Sequence, residues 1–157
     1  MRIDFLNIRI RLGFSVSKTV EVIGINSNVD AENKEHILLW DFDNIPYSEI
    51  VESLKSVQRF FVLPTIHVIT SSPEHYHAYC FAKFPQATAM YIIGKTSYVD
   101  TVFFRFGILR NYWTLRITSK KHGQTFCHVG DLPSDVPEDL SCAFLLDTIR
   151  YRTGVGV

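Results

Sequence analysis

The sequence has no long apolar segment, no excess of either charge and few cysteines. No stretch approaches the roughly 18 consecutive apolar residues that a membrane-spanning helix needs, so we expect no membrane contact. The 16 basic residues balance 16 acidic ones, and this zero net charge excludes a wholly electrostatic, histone-like grip on DNA. The 3 cysteines cannot all pair within the chain and fit no metal-binding spacing. We therefore expect buried thiols and a reducing, intracellular (cytoplasmic) compartment.

The chain does contain enough apolar material for one folded domain. Of its 157 residues, 46% are hydrophobic and 13% aromatic, and this composition excludes intrinsic disorder. A chain of this length usually forms one domain, and neither an internal repeat nor a linker divides it. We therefore predict a single domain over residues 1–157.

Apolar periodicity predicts an α+β fold. An apolar run over 36–40 predicts a buried strand that ends at Asp41. Apolar residues then recur at spacings of 4, 3 and 4 from Ile50 to Phe61, which predicts a helix with Ser48 at its N-cap. The other predicted elements are two short strands within 1–24, strands over 65–70, 76–84, 101–108 and 112–118, helices over 86–93 and 140–150, and irregular segments over 26–34, 71–74, 129–139 and 153–157. Their order indicates a mainly antiparallel sheet with helices packed on one face.

Two aspartates stand at the end of the first buried strand. On a strand, Asp41 and Asp43 point to the same face, whereas Phe42 points into the core. Neighbouring carboxylates repel each other unless a cation lies between them, and ligation by oxygen alone suits Mg²⁺ or Mn²⁺. The alternative is that both acids merely end the strand and cap the following helix.

A serine-containing turn leads into a strand that begins with histidines. In the segment Ser71-Ser72-Pro73-Glu74-His75-Tyr76-His77, the two histidines share one strand face because they are two residues apart. Hydroxyl groups, turn amides and an imidazole at one strand start can hold a phosphate group. The alternative is a polar turn with an incidental histidine.

A third acid and several basic residues extend the candidate site. Asp100 follows Val99 at another predicted strand start, and a third carboxylate would complete a site for phosphoryl or nucleotidyl transfer. Arg116 and Lys120 come later in the chain and would meet a triphosphate or a template backbone. The alternative for these basic residues is ordinary solvated surface charge.

In this order, the motifs resemble the catalytic core of the archaeo-eukaryotic primase superfamily, the primase-polymerases, over about residues 36–120. The family's first motif is an apolar strand that ends in acid-x-acid, here 38–43. Its second motif is a serine followed closely by a histidine in a strand, here Ser72 and His77. Its third motif is an apolar residue and an acid, here Val99-Asp100.

The resemblance implies an RNA-recognition-like sheet and a metal-dependent nucleotidyltransferase that acts on a DNA template in replication. Asp41, Asp43 and Asp100 would be the catalytic acids and would bind Mg²⁺ or Mn²⁺. The residues that would bind the incoming nucleotide are Ser72, His77, Arg116 and Lys120. The implied partners are nucleoside triphosphates and single-stranded or primed DNA. Because the sequence shows no zinc-binding module and no helical accessory domain, we also expect a helicase or accessory replication subunit as a partner, and a viral or plasmid origin.

Two other functions remain open. The segment His75-Tyr76-His77 resembles the histidine-hydrophobic-histidine metal site of rolling-circle replication initiators and relaxases, which nick single-stranded DNA through a tyrosine. The candidate nucleophiles are Tyr91, which lies near Lys95, and Tyr151. This function ranks second because it leaves the two strand-end aspartates without a metal role. The third function is a non-catalytic nucleic-acid-binding module that stacks bases on Tyr79 and Phe81.

Overall fold

Nine antiparallel strands and three helices make up the part of the chain that the structure describes. The structure is a computed structural model, and it describes residues 2–5, 8–11, 18–29, 34–117, 126–139 and 148–155. The elements are β1 (Arg2–Phe5), β2 (Ile8–Arg11), β3 (Lys18–Asn26), β4 (Glu35–Asp43), α1 (Tyr47–Phe61), β5 (Ile66–Ser72), β6 (His75–Pro85), α2 (Gln86–Lys95), α3 (Thr101–Arg110), β7 (Thr114–Arg116), β8 (Cys127–Leu132) and β9 (Thr148–Val155). This arrangement confirms the predicted α+β class. Among these residues, no helix has the length and apolar character to cross a membrane.

A four-stranded antiparallel sheet, in the order β4-β6-β5-β8, forms the centre of the fold. Strand β3 pairs with β7 on one side and β9 on the other, and β1 pairs with β2. Ser27 connects the β3 sheet to the β4 edge of the central sheet. Its carbonyl accepts a hydrogen bond from Ile37 N–H, and its N–H donates to the carbonyl of Trp113, both at 2.8 Å. These bonds bring the start of β7 close to β4.

Helices α1 and α2 cover one face of the central sheet. Trp40 is fully buried, and its indole N–H donates to Thr96 Oγ1, just after α2, at 2.9 Å. Gln58 of α1 donates from Nε2 to the carbonyls of Pro64 and Leu132 at 2.9 and 2.8 Å. Each large apolar side chain that this face buries contributes roughly 1.5–3 kcal/mol to stability. The core therefore lies between these two helices and the sheet.

The opposite face of the central sheet carries histidines and carboxylates, and we call it the polar face. Residues paired across antiparallel strands share a face, and residues two apart on one strand do so as well. By this register, the polar face contains Asp41, Asp43, His67, His75, His77, Tyr79, His128 and Asp131, together with the apolar Leu39 and Ile69. Alternation along the strands thus separates an apolar, helix-covered side from a titratable one.

The segment predicted as a strand over 101–108 is helix α3 instead. Its β-branched and aromatic residues favoured a strand, but Asp100 caps a helix by accepting a hydrogen bond from Phe103 N–H. The strand predicted over 112–118 is reduced to Thr114–Arg116. The N-cap of α1 is Pro46, without a side-chain cap, so the prediction of Ser48 as N-cap is wrong.

The C-terminal predictions also need correction. Strand β9 replaces the predicted helix from residue 148 onward and includes residues 153–155 of the segment predicted to fray. Pairing with β3 along the whole strand explains this, because the partner satisfies the backbone groups of both strands. Residues 140–147 lie outside the described residues.

Three other predictions also differ from the structure in part. Strand β8 occupies part of the segment predicted as irregular, and the first 24 residues contribute three strands rather than two. Cys80 is buried as predicted, whereas Cys127 is exposed.

Candidate functional site

The candidate site begins where β4 ends beside the start of β6. The antiparallel register pairs Asp41 with His77 and Asp43 with His75. Directly opposite residues on neighbouring strands have their Cβ atoms about 5 Å apart on the same face. The two acids and two histidines therefore form one group, which we call the β4–β6 cluster.

His77 is the most enclosed member of the β4–β6 cluster. Its side chain is 8% exposed, and its Nε2 lies 3.4 Å from Oδ1 of Asp41. Its Nδ1 lies 3.5 Å from the hydroxyl of Tyr79, and the ring of Phe126 stands 5.7 Å away. Burial, and then the negative charge of Asp41, raise the pKa of Tyr79, so its hydroxyl stays protonated. A tyrosine proton directed at Nδ1 leaves the histidine Nε2–H pointing toward the aspartate.

His75 and Asp43 form the outer half of the cluster. His75 Nδ1 donates to Asp43 Oδ1 at 2.5 Å, and the two side chains are 34% and 45% exposed. The β5–β6 hairpin lies against the end of β4, because Asn44 N–H donates to the carbonyl of Glu74 at 2.8 Å. Two strand ends and one turn therefore meet at this point.

Ser72 occupies the position at the end of β5 that the sequence predicted to lie near the histidines. It pairs with His75 across the hairpin, and its carbonyl accepts from Thr70 Oγ1 at 2.7 Å. The turn itself is Pro73-Glu74, with Glu74 in the left-handed region at φ 60°. The structure thus brings Ser72 to the same end of the sheet as the β4–β6 cluster.

Asp100 lies beside Asp41, at a helix start rather than at the predicted strand start. Its N–H donates to the carbonyl of Asp41 at 2.8 Å. Its carboxylate Oδ1 accepts from Phe103 N–H and so caps α3. One oxygen of this third acid therefore has a structural role that the sequence did not indicate.

An open cleft of about 250 Å³ lies along the edge of β4, and Asp41 and Asp100 both line it. The far wall comes from α3 and the start of β7, and its members include Phe106, Arg110, Tyr112 and Thr114. Arg110 places its guanidinium 5.1 Å from the centre of the Phe106 ring. Arg110 lies between the two segments that were predicted as strands, 101–108 and 112–118. Only the formation of α3 brings these residues together.

The basic residues predicted to contact phosphates are only partly described. Arg116 lies at the end of β7, opposite Gly24 of β3, and is half-buried. It is two residues from Thr114, which lines the cleft, so the two side chains share a strand face. Lys120 lies outside the described residues.

A second group of titratable residues lies on the polar face, and sequence analysis did not find it. His67 donates from Nδ1 to Asp131 at 2.9 Å and from Nε2 to Glu138 at 2.8 Å. His128 Nε2 donates to the same Asp131 oxygen at 2.8 Å. We call these four residues the β5–β8 cluster. His67 is more than 60 residues from the other three members, and only strand pairing and the segment after β8 bring them together.

Hydrogen bonding in the β5–β8 cluster favours charged side chains. Burial opposes the charge of His67, but hydrogen bonds to Glu138 and then Asp131 outweigh it and raise the pKa of His67. The hydrogen bond from His128 lowers the pKa of Asp131; burial works against this, and the bond from His67 adds to it. Because carboxylates only accept, a histidine that donates both ring N–H groups to carboxylates is an imidazolium ion.

The oxygen donors at the end of β4 suit a magnesium-type ion in chemistry. Among the described residues, no three or more His, Cys, Asp or Glu side chains converge on a common metal position. Protein Mg²⁺ sites that act on nucleotides, however, use one or two carboxylates, with substrate phosphates and waters as the other ligands. Asp41 and Asp43 lie on one strand face and supply that pair of carboxylates. The donor set therefore fits Mg²⁺ or Mn²⁺.

Comparisons of the chain with protein-family models, with curated proteins and with solved structures found no match. The resemblance of the motifs to primase-polymerases therefore stays a prediction. The functional argument rests on the residues of the site and their geometry.

Proposed function

We propose that this protein is a metal-dependent nucleotidyltransferase of the primase-polymerase type, which joins nucleotides on a DNA template in replication. One observation carries this proposal. Acids and histidines from three separate segments meet at one end of the central sheet, beside an open cleft. The same residues, in the same order along the chain, make up the motifs of the resemblance. The RNA-recognition-like sheet that the resemblance implies is part of this proposal.

Each residue has a role that its chemistry supports. Asp41 and Asp43 would hold Mg²⁺ or Mn²⁺, which supplies positive charge for nucleotidyl transfer when bound. The Nε2–H of His77 points toward Asp41, and it would be shared with a phosphate oxygen that the cation holds beside this acid. Ser72, at the adjacent strand end, would donate a hydrogen bond from its hydroxyl to the same triphosphate.

Three further residues complete the proposed site. Asp100 would help to position the end of β4 through its backbone bond to the Asp41 carbonyl. Arg116 and Lys120 remain candidate contacts for the triphosphate or the template. The proposed substrates and partners are nucleoside triphosphates and single-stranded or primed DNA, with a helicase or accessory replication subunit as a further partner.

The geometry argues against the nickase that uses Tyr91. Tyr91 belongs to α2, which packs on the helix-covered face, whereas His75 and His77 lie on the polar face. The Tyr91 ring contacts Phe61 of α1 at 5.8 Å, and Lys95 Nζ lies 5.5 Å from its centre. A nucleophile on the other side of the sheet cannot reach DNA held by the two histidines.

The geometry also argues against base stacking on strand β6. Tyr79 and Phe81 are only 4% and 6% exposed. Their rings are part of the folded interior, so they offer no free surface to a nucleobase. A non-catalytic binding module would need other contacts.

A template-extension assay tests the proposal. We would supply a primed single-stranded oligonucleotide, labelled nucleoside triphosphates and Mg²⁺ or Mn²⁺, and compare the wild type with Asp41→Asn. The matched control is Asp135→Asn, which removes an exposed aspartate from the segment after β8. We expect extension by the wild type and the control, and none by Asp41→Asn.

Other products would overturn the proposal. Cleavage of the labelled strand with protein left covalently on one end would indicate the nickase. A bound strand with neither product would indicate a binding module. Normal extension by Asp41→Asn would show that the chemistry lies elsewhere.

A further inference from the structure

We propose that the cleft beside Asp41 binds the nucleoside part of the incoming nucleoside triphosphate, with its base against Phe106 and Arg110. This inference rests on the proposed function and adds a substrate subsite to it. The cleft lies between the acid-bearing edge of β4 and a wall from α3 and the start of β7. The residues of that wall are absent from the motifs that suggested the function.

The α3 wall of the cleft offers a surface for stacking. The Phe106 side chain is 49% exposed, so much of its ring is accessible. Arg110 stands one helical turn later, with its guanidinium 5.1 Å from the ring centre. Aromatic rings and guanidinium planes are the two side-chain surfaces on which proteins stack nucleobases.

The part of this wall near the start of β7 offers polar groups to a sugar. Tyr112 and Thr114 line the cleft, and both are half-buried. Thr114 Oγ1 donates its proton to Asn26 Oδ1 at 2.9 Å. Its oxygen is therefore oriented to accept a hydrogen bond, and a ribose or deoxyribose hydroxyl can donate one.

Electrostatics selects the nucleoside over a phosphate backbone. Asp41 and Asp100 line the cleft and Arg110 offsets only one of these two charges, so the lining is net negative and repels a passing strand of phosphates. A base and its sugar carry no charge and avoid this repulsion. The triphosphate would stay at the β4–β6 cluster, where Asp41 and Asp43 would hold the cation.

The cleft wall is fixed in place before any ligand arrives. Gly107 packs so closely on Trp113 that a β-carbon there would overlap the indole ring. Trp113 is itself buried, and its backbone N–H donates to Ser27 Oγ at 3.0 Å. A rigid wall lowers the entropy cost of binding a small ligand.

The test separates the nucleoside from its phosphates. We would measure the KM for nucleoside triphosphate in template extension for Phe106→Ala and Arg110→Ala, and the inhibition constant of inorganic tripolyphosphate for each. We expect each variant to raise the KM about tenfold, as loss of one stacking contact does, with inhibition by tripolyphosphate unchanged. The control is Phe60→Ala, which removes an exposed phenylalanine from α1 and should alter neither constant.

The outcomes distinguish this inference from the proposed function. If Asp41→Asn is inactive while both cleft variants keep the wild-type KM, the cleft inference is wrong and the function stands. Equal weakening of nucleotide and tripolyphosphate would place the phosphates, not the base, in the cleft, and would also overturn the inference. A wild type that neither extends primers nor binds nucleotide would overturn both. Thermal unfolding of each variant shows whether α3 is intact, and the two substitutions test the subsite independently.

Discussion

The β4–β6 cluster and the β5–β8 cluster lie on the same face of one sheet and use the same residue types, yet their hydrogen bonds differ. In the β5–β8 cluster, His67 donates both ring N–H groups to carboxylates at 2.8–2.9 Å. In the β4–β6 cluster, the inner pair is looser, with 3.4 Å between His77 Nε2 and Asp41 Oδ1, and Asp41 borders a cleft.

This difference separates a structural arrangement from one suited to chemistry. Glu138 belongs to the segment after β8, so the two bonds of His67 tie that segment to β5 and β8. His67 donates both ring N–H groups at full hydrogen-bond distance and has no donor left for a ligand, whereas the Nε2 of His77 lies 3.4 Å from Asp41. In the β4–β6 cluster, Asp41 lines a cleft and Asp43 lies on the same strand face, so a cation and a substrate have room to bind beside them.

Activity should separate the two clusters most strongly. We expect Asp43→Asn to reduce template extension by about 100-fold or more, because the substitution removes a carboxylate charge aimed at the reaction. We expect Asp131→Asn to retain most of the activity, although it removes the same charge from the same face. Steady-state extension rates measure both. Equal losses in the two variants would mean that the clusters are not functionally distinct.

Stability should separate them in the opposite direction. We expect His67→Gln to lower the free energy of unfolding by about 1–3 kcal/mol, since hydrogen bonds to charged groups contribute about 1.5–3 kcal/mol each and glutamine can replace at most part of them. His75→Gln is the matched control, because His75 has one carboxylate partner and a more exposed side chain. Denaturant unfolding measures the difference, and a larger loss for His75→Gln would contradict it.

The pH dependence of stability should identify the charged state of His67. Folding raises the pKa of His67. Its contribution to the free energy of unfolding is therefore complete below the unfolded-state pKa of 6.5 and is lost as the pH rises through the folded-state pKa. Folding lowers the pKa of Asp131. Its contribution to the free energy of unfolding is therefore complete above the unfolded-state pKa of 3.8 and is lost as the pH falls through the folded-state pKa. We expect the stability difference between wild type and His67→Gln to be largest between about pH 4 and 6.5 and to shrink at higher pH. A difference that grows above pH 6.5 would show that the histidine is neutral.

The smallest effect should come from the outer histidine of the β5–β8 cluster. His128 is 59% exposed and makes one bond, to Asp131. Exposed ion pairs contribute about 0–1 kcal/mol, so we expect His128→Gln to change the unfolding free energy by less than about 1 kcal/mol. Denaturant unfolding at low and high salt checks this. A loss of unfolding free energy as large as that of His67→Gln would show that His128 also holds the segment after β8 against the sheet.

Much of the central fold follows from local pattern. The apolar run before Asp41 and the helical spacing from Ile50 to Phe61 predict β4 and α1 within a few residues. Strands β5 and β6 and helix α2 are similarly close to their predicted bounds. These elements have strong apolar periodicity, because each buries one face in the same core.

Among the mispredicted elements, α3 and β9 have structures that their surroundings decide. The residues of α3 are β-branched or aromatic in large part, and a cap and close packing on Trp113 make them helical. Strand β9 exists by pairing with β3, which lies more than 100 residues earlier in the sequence. No local window contains that information.

The sequence alone determined the residue types at the end of β4 and the start of β6, and their two-residue spacing put each pair on one face. It could not determine which acid faces which histidine, because register depends on the strand partner. Only the tertiary structure paired Asp41 with His77, brought Asp100 beside them and formed the cleft with α3. It also assembled the β5–β8 cluster from His67 and three residues that lie 61–71 positions later in the chain. The physical reason is the same in each case: spacing along a strand is a local property, whereas contact between strands depends on the packing of the whole chain.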